Sequence, residues 1–233
     1  MPTACFCEAV RASPVAQPVN TVSSLAFLAA AAVVIGARRR AVRGNSRENV
    51  MLTDPVYTLL YSVSLAAIGV GSAFYHASLT FAGQTADVAG MYLLATFLLL
   101  YNAGRLRRMS PRRAAALYVG LNGALITLLI AAPAFRRYAF GTMIVCAIAL
   151  ELRVRAAGTG RANARLFAAA LVAIAVGFAF WILDITHVIC RPTSMFQGHG
   201  VWHISGAISA VLVYLYYVSE EPGARRQSSV LVA

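Results

Sequence analysis

Four histidines occur in the 233 residues: His76, His187, His199 and His203. His199 and His203 stand four apart, which on a helix puts both imidazoles on one face about a turn from each other, an arrangement that can bind one metal ion. His76, at the end of an earlier apolar run, can supply a third ligand. Three neutral imidazoles leave a fourth tetrahedral position open for water, as catalytic zinc requires. Zinc lowers the pKa of such a water toward ~7 and polarises a carbonyl, which is hydrolytic chemistry. An i, i+4 histidine pair alone is more often structural than ligating; the third histidine and a nearby acid reverse that balance.

Ser72 lies one turn before His76 on the same face, where its hydroxyl can donate to a developing oxyanion. The competing reading is close helix packing through Gly69, Gly71 and Ser72. Asp87 is a carboxylate that can take a proton from the attacking water and return it to a leaving amine, or merely orient a ligand histidine. Asp184 reads as a buried aspartate bonded to a neighbouring helix and His187 as an interfacial histidine, both outside the catalytic set.

The elements that must carry these residues follow from composition. The chain is 60% hydrophobic and 12% charged, too apolar for a soluble domain of this length, and it lacks the alternation of a β-barrel. Apolar runs give seven helical spans near residues 20–37, 55–76, 84–104, 114–132, 135–152, 165–187 and 199–218, in one domain covering 1–233. The fifth is the shortest in apolar terms, squeezed between Arg136, Arg137 and Arg153 unless these side chains snorkel. All four histidines, with Asp87 and Asp184, then fall at one end of the bundle. Ionisable groups inside a membrane are costly and usually face a partner or a cavity, so one shared layer points to one site.

All twenty basic residues are arginine. Sixteen follow spans one, three, five and seven, at Arg38, Arg39, Arg40, Arg43 and Arg47, at Arg105, Arg107, Arg108, Arg112 and Arg113, at Arg153, Arg155, Arg161 and Arg165, and at Arg225 and Arg226. Arg11, Arg136, Arg137 and Arg191 fall on the other side. The positive-inside rule therefore puts the N-terminus outside and the C-terminus in the cytoplasm. Topology and contact with anionic headgroups account for the net charge of +12, and no nucleic-acid partner is expected. Met1 to Val19 lacks an apolar run and a cleavage site, so no removable signal peptide is expected. Cys5, Cys7, Cys146 and Cys190 lack zinc-ribbon spacing and are not the metal ligands.

The motifs GSAFYH at Gly71 to His76, Asp87, FWILD at Phe180 to Asp184 and HGVWH at His199 to His203 resemble those of the alkaline ceramidases. So do Cys7–Glu8 and NTVSSLAF at Asn20 to Phe27, so the likeness runs in order over nearly the whole chain. The resemblance implies the seven-helix CREST superfamily, related to adiponectin receptors, and a zinc held within the membrane by His76, His199 and His203. It also implies oxyanion support by Ser72, proton transfer by Asp87 and a disulfide between Cys7 and Cys190, which an outside location permits. Ceramide would be cut at its amide into sphingosine and fatty acid. Animal members bind calcium near the N-terminus; here Glu8 remains among Cys5, Phe6, Val10 and Gln17. Calcium takes six or more oxygens, so Glu8 is at most part of a weak site.

These features lead to a zinc amidohydrolase acting on ceramide or a related N-acyl lipid that enters from the outer leaflet. Two other readings stay open at this point: a lipid receptor or sensor of the same fold, and a lipid esterase. The arginine- and alanine-rich composition favours a bacterial inner membrane with the site facing the periplasm, the alternative being a eukaryotic endomembrane with the site facing the lumen.

Overall fold

The computed structural model describes residues 6–43, 49–107, 109–158 and 160–222. Arg47, Arg108, Arg225, Arg226 and Cys5, which the sequence reading uses, lie outside them. Among the described residues the protein is helical: α1 (Pro18–Ser24), α2 (Ala26–Arg43), α3 (Val50–Thr53), α4 (Pro55–Ser78), α5 (Phe81–Leu106), α6 (Pro111–Ala131), α7 (Arg136–Ala156), α8 (Ala164–Ile185) and α9 (Gly198–Val218). A minimal antiparallel pair joins β1 (Gly160–Arg161) to β2 (Glu221–Pro222).

Local sequence explains the starts of the long helices. Asp54 accepts from Val56 N ahead of Pro55 at the start of α4, Thr80 caps α5, Ser110 precedes Pro111 of α6, and Asn163 caps α8. Each satisfies an N–H that the first helical turn leaves free. The predicted first span is two helices with a break at Leu25. Ser23 and Ser24 both bond back to the Asn20 carbonyl, which draws the backbone out of a regular ladder and bends the helix there.

Among the described residues six helical segments are long and apolar enough to cross a bilayer: Pro18–Arg43, Pro55–Ser78, Phe81–Leu106, Pro111–Ala131, Ala164–Ile185 and Gly198–Val218. The seventh expected span, α7, has 21 residues but is not apolar enough. Arg136, Arg137, Glu151, Arg153 and Arg155 all lie within it.

The core lies where α2, α4, α5 and α9 meet, around Phe27, Val34, Tyr61, Leu65, Phe97 and Tyr214. Its tyrosines are wired as well as packed: Tyr61 donates to the Ala210 carbonyl at 2.6 Å, and Tyr214 shares a bond with Thr58. Helices α4 and α5 approach closely through two glycines. A Cβ on Gly71 would come within 2.6 Å of the Ala86 carbonyl, and one on Gly90 within 2.6 Å of Ile68 N. That contact sets Ser72 on α4 beside Asp87 on α5, so the packing and chemical readings of the GSAFYH segment coexist.

Candidate metal centre

His76 reaches the centre from the last turns of α4, which ends at Leu79 in the left-handed conformation with its N–H on the Tyr75 carbonyl. His199 and His203 come from the first two turns of α9. Asp184, fully buried at the end of α8, aligns that start: one oxygen accepts from His199 N and the other from Cys7 N, each at 3.0 Å. Asp184 is thus the bonded buried aspartate that the sequence suggests. His187 is exposed and takes up a left-handed turn after α8, away from the cluster.

All three imidazoles are buried, and their ligand atoms lie within 4.8 Å of one another. Nε2 of His76 and Nε2 of His199 are 3.1 Å apart. Gln17 Oε1, which can only accept, is 2.8 Å from His76 Nδ1; the proton therefore sits on Nδ1 and Nε2 offers its lone pair inward. His203 bonds to the Asn20 backbone, and its Nδ1 has Ser23 Oγ at 2.9 Å and Ser24 Oγ at 3.4 Å. Zinc–nitrogen bonds of about 2.0–2.1 Å at tetrahedral angles separate their nitrogens by about 3.3 Å. The cluster therefore fits a zinc ion. Among the described residues His199 Nδ1 is buried without a hydrogen-bond partner, and that ring makes its polar contact through Nε2, toward the centre.

Ser72 Oγ lies 3.2 Å from His203 Nε2 and 3.1 Å from Ser24 Oγ, and bonds to Asp87. Asp87 is partly exposed and lies within electrostatic reach of Arg136 at the start of α7. Ser72, Asp87, His76, His199 and His203 thus form one group drawn from three helices. The Phe6 ring covers it, 4.0 Å from the His199 ring and 5.1 Å from that of His76. Its chain position is tied by a disulfide between Cys7 and Cys190, with Cα atoms 5.4 Å apart.

Glu8 is buried, and its two carboxylate oxygens accept from Val19 N at 2.7 Å and Asn20 N at 2.8 Å. Both bonds go to the first turn of α1. Gln17 bridges this segment to the site, its Nε2 donating to the Glu8 carbonyl.

Sequence reasoning missed Gln17, Asn20, Ser23 and Ser24 as the partners of the histidines, and Phe6 as their cover. Asn20, Ser23 and Ser24 did carry a signal: three polar residues on one face of an apolar run at the i, i+3, i+4 spacing that turns them to the interior. Nothing comparable marks Phe6 or Gln17.

No curated protein matches this chain. The family model described as Ceramidase matches residues 3–229, almost the whole chain. The chain belongs to the ceramidase family, whose members hydrolyse the amide of ceramide.

Proposed function

We propose that the protein is a zinc-dependent amidohydrolase that cleaves the N-acyl bond of ceramide or a closely related lipid, releasing a sphingoid base and a fatty acid. The observation that carries this reading is the convergence of three buried histidines from α4 and α9 with Ser72 and Asp87 beside them. His76, His199 and His203 would hold the metal. Bound there, zinc supplies Lewis-acid polarisation of the amide carbonyl and an acidified water.

The remaining work falls to the chain itself. Gln17 and the Asn20 carbonyl fix the tautomers of His76 and His203, keeping their lone pairs inward. Ser72 turns its hydroxyl from Asp87 to the carbonyl oxygen as negative charge develops there. Asp87 accepts the proton lost by the attacking water and passes it to the amine as the C–N bond breaks. Phe6 limits bulk water above His76 and His199, which strengthens each of these polar contacts.

The topology we propose has α7 as a membrane span beside the six apolar segments, making one domain of seven spans with the N-terminus outside and the C-terminus cytoplasmic. The arginine distribution supports it. The metal centre then faces the outer side, the periplasm in a bacterial inner membrane, where the Cys7–Cys190 disulfide is stable. Glu8 serves there as the cap of α1, and calcium has no part in the chemistry.

Purified protein is expected to contain about one zinc per chain. Mass spectrometry of products from ceramides, N-acyl amines and acyl esters tests the reaction. Release of fatty acid from ceramide, lost in His203→Ala, is the expected result. Cleavage of esters alone, or binding of acyl lipid without turnover, would overturn the assignment.

A further inference from the structure

At the end of the bundle opposite the histidines, α5, α7 and α9 close around a second polar layer. Arg105 is buried; it pairs with Glu151 of α7 and, at 2.9 Å, with Glu220 just beyond α9. Tyr216 donates to Glu151, and Tyr217 to Asn102. Beside this layer lies a cavity of about 320 Å³, walled by Arg105, Val154, Arg155, Arg161, Ala162 and Tyr216.

The wall carries three arginines and no carboxylate. Glu151 and Glu220 both pair with Arg105, and the Glu220 carboxylate also lies against Gly160 of the wall. Glu221 stands opposite Arg161 in the short strand pair, yet among the described residues no carboxylate lies within ion-pairing distance of Arg155 or Arg161. Arg155 is held by its contact with the Phe167 ring of α8. Arg155 and Arg161 thus line one recess, neither with an ion-pair partner among the described residues, at the end of the molecule where arginines concentrate. Guanidinium forks match phosphate oxygens in pairs, and basic recesses between helices on the cytoplasmic side suit anionic lipid headgroups.

We infer that this recess binds a phosphate monoester or diester group, with Arg155 and Arg161 as its ligands, and that the source is the headgroup of an anionic phospholipid in the adjacent leaflet. The volume exceeds what a free phosphate needs, and the Val154 and Ala162 walls accommodate the glycerol portion of a headgroup. The inference rests on the membrane reading of the helices and is independent of the hydrolytic one.

The test uses full-length protein carrying Arg155→Gln and Arg161→Gln together, with Arg39→Gln and Arg40→Gln as a control of equal charge change on α2. Native mass spectrometry counts phosphatidylglycerol retained against phosphatidylcholine after extraction from mixed nanodiscs, and circular dichroism checks folding. The expected result is at least about a tenfold loss of phosphatidylglycerol preference in the Arg155/Arg161 variant and little change in the control, as a site reading phosphate through paired guanidinium forks requires. Equal losses in both variants, or none in either, would overturn the site. Should the double variant fail to fold, phenylglyoxal labelling of the wild-type protein replaces it: phosphatidylglycerol must protect Arg155 and Arg161, and unprotected labelling refutes the site. Inorganic phosphate as competitor separates the sources. Displacement of the lipid only at concentrations far above that of the lipid supports a headgroup site, whereas tight phosphate binding in lipid-free detergent overturns the lipid as source.

Discussion

Replacing Gln17 with alanine should loosen zinc without touching a ligand. Gln17 is fully buried, and among the described residues its Oε1 is the hydrogen-bond partner of His76 Nδ1, at 2.8 Å. In Gln17→Ala that N–H faces an apolar gap, and a buried donor left unmade costs about 1–3 kcal/mol. At 1.4 kcal/mol per decade this is about a 10–100-fold weaker site, the range seen when partners behind a metal ligand are removed. Ser23→Ala provides the contrast. His203 keeps the Asn20 backbone and the Ser24 hydroxyl when the Ser23 hydroxyl, 2.9 Å from Nδ1, is lost, so affinity should fall by about threefold at most for a redundant hydrogen bond. Gln17→Glu keeps an acceptor against His76 and should hold zinc at least as tightly as the wild type. Competition with a chelating fluorophore measures the affinities, and unfolding of the zinc-free protein in detergent monitors the lost Gln17–Glu8 bond separately. Wild-type zinc affinity in Gln17→Ala, or equal losses in Gln17→Ala and Ser23→Ala, would refute the reasoning.

Ser72→Ala should retain zinc and lose about 10²–10³ in kcat, the cost of one oxyanion donor; loss of zinc instead would make Ser72 a support of His203. Asp87→Asn should likewise keep its metal and lose about 10²–10⁴ in kcat as proton transfer fails, measured as fatty acid release under saturating substrate. Gly71→Ala drives a methyl against the Ala86 carbonyl, so detergent stability should fall by about 1–3 kcal/mol through overpacking, with turnover falling as Ser72 and Asp87 separate. Glu151→Leu leaves Arg105 with Glu220 alone and should destabilise the protein by about 3 kcal/mol, the lower end for a broken buried pair. Arg105→Leu combined with it should recover part of that loss in the same denaturation assay.

The chemistry was legible where residue type was rare. Histidines and aspartates inside apolar runs stand out because burying them is costly, and the spans bring His76, Asp87, His199 and His203 to one level without any tertiary information. What supports them was not legible. Gln17 meets His76 across a sequence separation of 59, through a loop whose path no periodicity encodes. Phe6 sits in a stretch with no helical pattern at all. Glu8, at most part of a weak calcium site by sequence, gives no sign there that the Val19 and Asn20 N–H groups both bond to its carboxylate. The break at Leu25 was hidden by hydropathy, which registers the apolar side chains around it and is blind to serines bonding back to a carbonyl.

Hydropathy gives α7 little weight, and its packing supports the proposal that it is a seventh span. Near one end, Tyr92 of α5 donates to the Arg136 carbonyl at 3.2 Å; near the other, Arg105 of α5 pairs with Glu151. Between them Asn102 donates to the Ala147 carbonyl. From Tyr92 to Arg105 the rise along α5 is about 20 Å, and from Arg136 to Glu151 along α7 about 22 Å. The two helices therefore run parallel over almost equal lengths, and any depth of bilayer that α5 crosses in this stretch α7 crosses with it. The charges that lower its hydropathy lie near its ends: Arg136 and Arg137 at one, Arg153 and Arg155 at the other, with Glu151 neutralised by Arg105. Snorkelling of terminal arginines supplies the remaining reach to the interfaces. A window average counts those charges against the helix, although the ends are where a spanning helix can carry them.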